Sequence, residues 1–117
     1  QRRGVQGIRH HTMGAHFRHR DEASLFEQWL HRAIEDCLDV DLLIYQAGAD
    51  PHVNDPLGKV LTGVQMAKRD HAVFSAFQGR PLVWNLAGGY QRDVNGGIEP
   101  VLKLHRTTAQ IQNIYQP

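Results

Sequence analysis

The sequence predicts a small α/β domain built on parallel strands. Two short apolar runs, at residues 41–46 and 81–86, have the composition of buried strands, and each is followed by a glycine-containing break. A segment with helical periodicity lies between them, and two more flank the pair. Two strands joined through a helix form a right-handed βαβ crossover, so the expected order is helix, strand, helix, strand, helix. The length of 117 residues suits one such domain.

The first helix is expected from Glu22 to about Leu38, where apolar residues recur at helical spacing between charged ones. Asp21 is a candidate cap for its first turn. Cys37 falls on the apolar face, so we expect a buried core residue rather than a reactive thiol. It is the one cysteine of the sequence, which excludes an intrachain disulfide framework and fits a reducing compartment.

The first strand, 41–46, is nearly continuous in apolar residues, a pattern typical of a sheet that is covered on both faces. Residues 48–60 contain several glycine and proline breaks and are expected to form a structured loop. The second helix is expected from Thr62 to Phe77, with Thr62 as its cap, and Gly79 ends it.

The second strand, 81–86, leads into a glycine-rich loop at 87–97. The third helix is expected from Ile98 to about Ile111, with Pro100 tolerated in its first turn. A sheet of two strands leaves both edges open. We therefore expect the edges to be completed by self-association, giving a homo-oligomer, or by a partner segment that this sequence lacks.

Charge divides the sequence into two regions. Residues 1–20 hold five arginines and no acidic residue, whereas residues 21–117 hold eight basic and twelve acidic residues. We treat 1–20 as a basic, irregular N-terminal arm and 21–117 as the α/β body. The arm is a candidate contact for nucleic acid or another anion. The alternative is a terminal segment that packs poorly, because no nucleic-acid-binding motif accompanies the charge.

The composition argues against a membrane protein. No apolar run approaches the roughly 20 residues that span a bilayer. The basic, histidine-rich start also lacks the apolar stretch of a signal peptide. We expect a cytoplasmic protein with no membrane partner.

Asp50 is the first candidate site residue, because it directly follows the first strand, at the edge of a parallel sheet where ligands bind. Its carboxylate has three possible roles: ligand to a metal, general base, or cap of the following turn. His52 adds an Asp-x-His pattern, but two ligands do not close a zinc site. The alternative for His52 is a hydrogen bond to Asp55 or to the backbone.

Gly88, Gly89 and Tyr90 follow the second strand at the same edge. Two glycines before an aromatic residue permit close backbone approach, and a phenol can donate a hydrogen bond to a developing oxyanion. The alternative is that the tyrosine ring covers the core.

Four segments together resemble the histone deacetylase superfamily, most of all its bacterial branch near the class IV enzymes and the acetylpolyamine amidohydrolases. The resemblance covers roughly residues 21–110. Its segments are DLLIYQAGADPHVNDPLG at 41–58, Arg69-Asp70 with Val73-Phe74, PLVWNLAGGYQ at 81–91, and VLKLHR at 101–106.

The resemblance implies a three-layer α/β fold of the arginase type and zinc-dependent cleavage of acetyl-lysine or acetylpolyamine amides. It implies that Asp50 is the third zinc ligand and that the phenol of Tyr90 steadies the tetrahedral oxyanion. It further implies that Gly88 and Gly89 line the acyl pocket. His52 is not a ligand in the family, so the Asp-x-His pairing is expected to be accidental.

The sequence also departs from the family pattern. The family's other two zinc ligands come from an Asp-x-His motif on an earlier strand, and its water-activating histidine pair comes earlier still. Neither segment is found here, and His10-His11 lacks the preceding strand that would mark it as that pair. We therefore expect a truncated, C-terminal portion of a deacetylase domain.

This portion is expected to bind no zinc by itself and to be inactive alone. It resembles a zinc-dependent deacetylase but lacks the N-terminal catalytic half, so the sequence does not decide whether it functions as an enzyme. Its expected partner is a second copy or a missing N-terminal half. The alternatives are the C-terminal part of a split deacetylase, and a non-enzymatic module that binds an anion or nucleic acid through residues 1–20.

Overall fold

The computed structural model describes residues 7–12, 23–58 and 60–117. Within those ranges the elements are α1 (Ala23–Cys37), β1 (Leu43–Gln46), α2 (Gly63–Ala76), β2 (Leu82–Asn85) and α3 (Glu99–Tyr115). The order and the α/β class confirm the prediction. Most of the basic arm at 1–20, and the expected cap Asp21, lie outside the described residues.

The two strands form a parallel sheet, with Leu43 opposite Leu82 and Gln46 opposite Asn85. Parallel strands require a crossover connection, which α2 provides, as the sequence predicts. Both strands therefore end at the same edge of the sheet. The loops that follow them are the structural basis of the candidate site.

The helices cover one face of this sheet. Leu43, Tyr45 and Leu82 lie on that face and pack against the core. Successive side chains of a strand alternate between faces, and the neighbouring Ile44 and Val83 are 62% and 55% exposed. The prediction of a sheet covered on both faces is therefore not met within the described residues. Among the residues that the structure describes, no further strand pairs with β1 or β2, and Ile44 and Val83 leave an apolar face exposed.

The core forms where α1 and α2 meet over the sheet. Phe26 and Leu30 of α1 contact the cluster that includes Met66 and Val73 of α2. Cys37, at the end of α1, is buried and unpaired, which confirms its expected place in the core. The observed ends of α1 lie within one residue of the predicted ones.

The start of α2 is fixed by a capping box. The hydroxyl of Thr62 accepts a hydrogen bond from the backbone nitrogen of Gln65, and the Gln65 side chain accepts one from the backbone nitrogen of Thr62. This confirms Thr62 as the cap, because its side chain satisfies a donor that the first turn leaves unpaired. Gly79 follows the helix with φ +76°, in the left-handed region that glycine favours.

The helix α3 extends one turn beyond the predicted end at Ile111. Long-range contacts hold that turn: His71 of α2 is hydrogen-bonded to the hydroxyl of Tyr115 at 2.8 Å, and the Gln116 amide donates to the Phe77 carbonyl. Sequence periodicity carries no information about such contacts. None of the described helices combines the length and the apolar character that crossing a membrane requires.

Candidate functional site

The loops after β1 and β2 continue side by side beyond the strands. The backbone nitrogen of Ala47 donates to the Asn85 carbonyl at 3.0 Å, and that of Ala49 donates to the Gly88 carbonyl at 2.6 Å. These bonds bring Asp50 next to the Gly-Gly-Tyr segment. The two strand-end motifs therefore lie together at one edge of the sheet, as expected of parallel strands.

The Asp50 side chain lies between two glycines. A Cβ atom added to Gly88 would lie 3.0 Å from Oδ2 of Asp50, and one added to Gly48 would lie 2.6 Å from its Oδ1. No residue of the described ranges donates a hydrogen bond to this carboxylate. Among the described residues, the half-buried Asp50 side chain therefore does not cap the following turn.

Asp55, and not Asp50, organises the loop. It is completely buried, and its Oδ1 accepts hydrogen bonds from the backbone nitrogens of Leu57 and Gly58 at 2.8 and 3.3 Å. Its Oδ2 accepts one from the backbone nitrogen of Tyr90 at 2.8 Å. Sequence reasoning missed this role, although an aspartate before a proline in a loop is a known signal for such turns.

His52 bonds locally and is not directed at a metal. Its Nδ1 accepts a hydrogen bond from the backbone nitrogen of Asn54 at 3.1 Å. Burial lowers the pKa of its imidazole below 6.5, the nearby Asp55 partly opposing this. Of the two alternatives for His52, the structure supports the hydrogen bond to the backbone.

A buried polar network lies beneath the turn that carries Asp50. The guanidinium of Arg69, on α2, donates to the Gly48 carbonyl at 2.8 Å and to Oδ1 of Asp70 at 3.0 Å. Asp70 also accepts hydrogen bonds from the hydroxyls of Tyr45 and Thr108. Burial raises the pKa of Tyr45 well above 10.0, so its hydroxyl keeps the proton that it donates. This network holds the Gly48 backbone against α2.

Tyr90 is not a buried core residue. It is 46% exposed, and its backbone nitrogen is held by Asp55. Ala87, at the start of this loop, adopts φ +44°, in the left-handed region. Gly89 packs inward, because an added Cβ would lie 2.9 Å from Cγ1 of Val101. A side chain at position 89 would therefore push the loop away from α3.

Asp50, Gly88 and Tyr90 line one open cavity of about 840 Å³. The cavity continues along β1 to the apolar side chains of α1, including Trp29 and Leu30. The site is therefore the polar end of a longer groove.

The described residues do not assemble a complete metal centre at Asp50. Within them, the one group of three metal-binding side chains is His11, Asp36 and Cys37, which does not include Asp50. His11 is instead hydrogen-bonded to Asp36 at 2.8 Å. One carboxylate does not hold zinc, since zinc sites use at least three protein ligands. The zinc that the resemblance implies does not fit these residues alone.

Comparison with known proteins identifies the family. Residues 2–101 match the family described as Histone deacetylase domain, and the match includes Asp50, Tyr90 and most of the basic arm. An uncharacterized protein of Picosynechococcus sp. strain PCC 7002 is 32% identical over 90 residues, covering 72% of this chain. The chain matches about 30% of that relative's length. No solved structure matches the chain significantly. Because the family match covers most of its length, the chain belongs to the histone deacetylase domain family.

Proposed function

We propose that this chain forms part of a zinc-dependent amide hydrolase that removes acetyl groups from acetyl-lysine or acetylpolyamines, and that it has no activity alone. The observation that carries the proposal is the Asp50 carboxylate, which lies beside Gly88 and accepts no hydrogen bond within the described residues. A structural aspartate at a turn accepts backbone hydrogen bonds, as Asp55 does. An aspartate without them is available to a ligand.

In this proposal Asp50 is one of three metal ligands, and Gly88 and Gly89 form the wall against which the acyl group lies. The exposed phenol of Tyr90 donates a hydrogen bond to the oxyanion. We propose the class IV-like or acetylpolyamine amidohydrolase-like subclass from the joint resemblance of the segments at 41–58, 69–74, 81–91 and 101–106.

Energetics support the second half of the proposal, that the chain alone is inactive. One oxyanion donor such as Tyr90 contributes about 3 kcal/mol to a catalysed reaction. Enzymes lower activation barriers by at least about 8 kcal/mol. Without a held metal and a base, the described residues fall well short of that requirement.

The remaining ligands must come from polypeptide that adds to the open side of this sheet. The uncovered face at Ile44 and Val83, and the groove that runs along β1 to Asp50, provide the surface for it. The matched length, about 30% of the relative, agrees with a domain that has further segments. In the isolated chain we propose that a second copy covers this surface instead.

A chimera tests the proposal. This chain replaces the matched segment of the Picosynechococcus relative, and hydrolysis of an acetyl-lysine peptide and of acetylspermidine is measured. We expect hydrolysis by the chimera but not by the isolated chain. Tyr90→Phe should lower the turnover rate of the chimera about 10²- to 10³-fold without altering its zinc content. Turnover by the isolated chain, or an unchanged rate in the Tyr90→Phe chimera, would refute the proposal.

A further inference from the structure

A separate group of metal-binding side chains lies where residues 7–12 meet the end of α1. The group consists of His11, Asp36 and Cys37, whose ligand atoms all lie within 4.8 Å of one another. Nε2 of His11 is 2.8 Å from Oδ2 of Asp36. Since α1 leads directly into β1, this group lies toward the amino end of that strand, whereas Asp50 follows its carboxyl end.

The donor atoms suit a borderline-soft cation. Imidazole nitrogen, carboxylate oxygen and thiolate sulfur are the ligands that zinc uses, at about 2.0 to 2.3 Å. Tetrahedral ligands at those distances lie roughly 3.3 to 3.8 Å apart. To reach that spacing, the 2.8 Å distance between Nε2 of His11 and Oδ2 of Asp36 would have to increase slightly. The sulfur of Cys37 would have to move about 1 Å closer to the other two ligand atoms. Binding therefore requires movement of all three side chains, including that of the buried Cys37.

Negative charge near the group attracts a cation, but burial, together with Asp36, raises the pKa of the Cys37 thiol, so a bound metal has to displace the thiol proton. The last turn of α1 contains no basic residue, and a helix carries partial negative charge at its carboxyl end. Arg9 is close, but its guanidinium donates to the Asp36 carbonyl and to the Asp39 carboxylate. The Asp36 carboxylate is therefore left to His11.

The group is open to solvent on one side and buried on the other. The side chains of His11 and Asp36 are 32% and 54% exposed, so an ion can reach them from solvent. Cys37 is buried behind them, and it lines the same open cavity as His11. Its sulfur would form the inner ligand of a site that opens outward.

We infer that His11, Asp36 and Cys37 bind a divalent cation of the zinc type, with water as the fourth ligand. The ion joins residues 7–12 to the carboxyl end of α1. His11 and Asp36, which it connects, are 25 residues apart in the sequence. The inference is independent of the proposed function, because the site does not include Asp50.

Cobalt(II) titration of the reduced chain tests this inference, since thiolate-bound cobalt has a charge-transfer band in the near ultraviolet. We expect one equivalent of cobalt to produce the band and excess Zn²⁺ to abolish it. Cys37→Ser should remove the band. His11→Ala and Asp36→Asn should each weaken cobalt binding about tenfold or more, because even the partners of metal ligands matter to that extent.

His10→Ala is the matched control, since His10 is exposed, adjacent in sequence and outside the group. It should bind cobalt as the unmodified chain does. Circular dichroism checks that each variant is folded. Absence of the band in the folded chain, or unchanged affinity in His11→Ala and Asp36→Asn, would overturn the inference.

Discussion

Oδ2 of Asp55 accepts a hydrogen bond from the backbone nitrogen of Tyr90 at 2.8 Å, across 35 residues of sequence. The other oxygen of the same carboxylate holds the backbone of Leu57 and Gly58. One buried side chain thus fixes the loop after β1 to the loop after β2. The relative position of Asp50 and Tyr90 depends on it.

Asp55→Ala should lower the free energy of unfolding by about 3 kcal/mol, because it leaves three backbone N–H groups without their acceptor. Urea unfolding measures the change. Asp93→Ala is the matched control: Asp93 also accepts from two backbone nitrogens, those of Asn95 and Gly97, but it is exposed. Water replaces its bonds, so the loss should stay below about 1 kcal/mol. Equal losses in the two variants would contradict the bridging role of Asp55.

Gly58→Ala should lower the free energy of unfolding by about 3 kcal/mol. A Cβ at position 58 would lie 1.6 Å from the backbone oxygen of Asp50, so the loop backbone itself has to move. Gly63→Ala is the control, since a Cβ there meets nothing closer than Nε2 of His52 at 4.0 Å. At the start of α2 it should be neutral or stabilising by up to about 1 kcal/mol. A thermal or urea melt in which Gly58→Ala is harmless would disprove the close approach.

His105 should make the protein less stable in mild acid. Burial, aided by the charge of Arg69 and opposed by Asp70, lowers the pKa of the His105 imidazole below 6.5 in the folded chain. The unfolded chain therefore takes up a proton more readily, and the free energy of unfolding falls as the pH drops below about 6.5. His105→Gln should reduce this fall in urea titrations between about pH 7 and pH 5. An unchanged pH dependence would show that His105 does not contribute. The loss of stability in acid that remains in the His105→Gln variant is expected from His52, whose pKa is also lowered by burial.

The uncovered sheet face should drive self-association of the isolated chain. Ile44 and Val83 are opposite one another in the register of β1 and β2, and both are more than half exposed. Ile44→Lys should shift the chain toward monomer in size-exclusion chromatography with light scattering, because a charge there resists burial. Ile114→Lys, at a 61% exposed position of α3, is the control and should leave the association unchanged. A monomeric parent chain at every concentration would contradict this account.

Much of the fold is predictable from the sequence because local patterns specify it. Helical spacing marks α1, the capping residue Thr62 marks the start of α2, and glycines mark the strand ends. That Asp50 and Tyr90 follow strands ending at the same edge of the sheet is predictable from the parallel strands. These features depend on neighbours in sequence or on a general rule of sheet geometry.

The contacts that position the site are not predictable in this way. Asp55 bonds across 35 residues and Arg69 reaches Gly48 across 21, so neither pairing leaves a local pattern. The same holds for the contact of His11 with Asp36. The apolar run in β1 led to the prediction that both faces of the sheet are covered, and one face is exposed at Ile44 and Val83. Composition shows that a strand suits burial, but it does not show which segment covers the strand.

We propose above that Asp50 is a metal ligand in a site that other polypeptide completes. Zinc binding by the chimera with the Picosynechococcus relative tests it most directly, in a Cys37→Ser background that removes the sulfur ligand of the other proposed site. We expect one zinc per chimera, and at least tenfold weaker binding after Asp50→Ala. Zinc affinity that does not change on Asp50→Ala would contradict it.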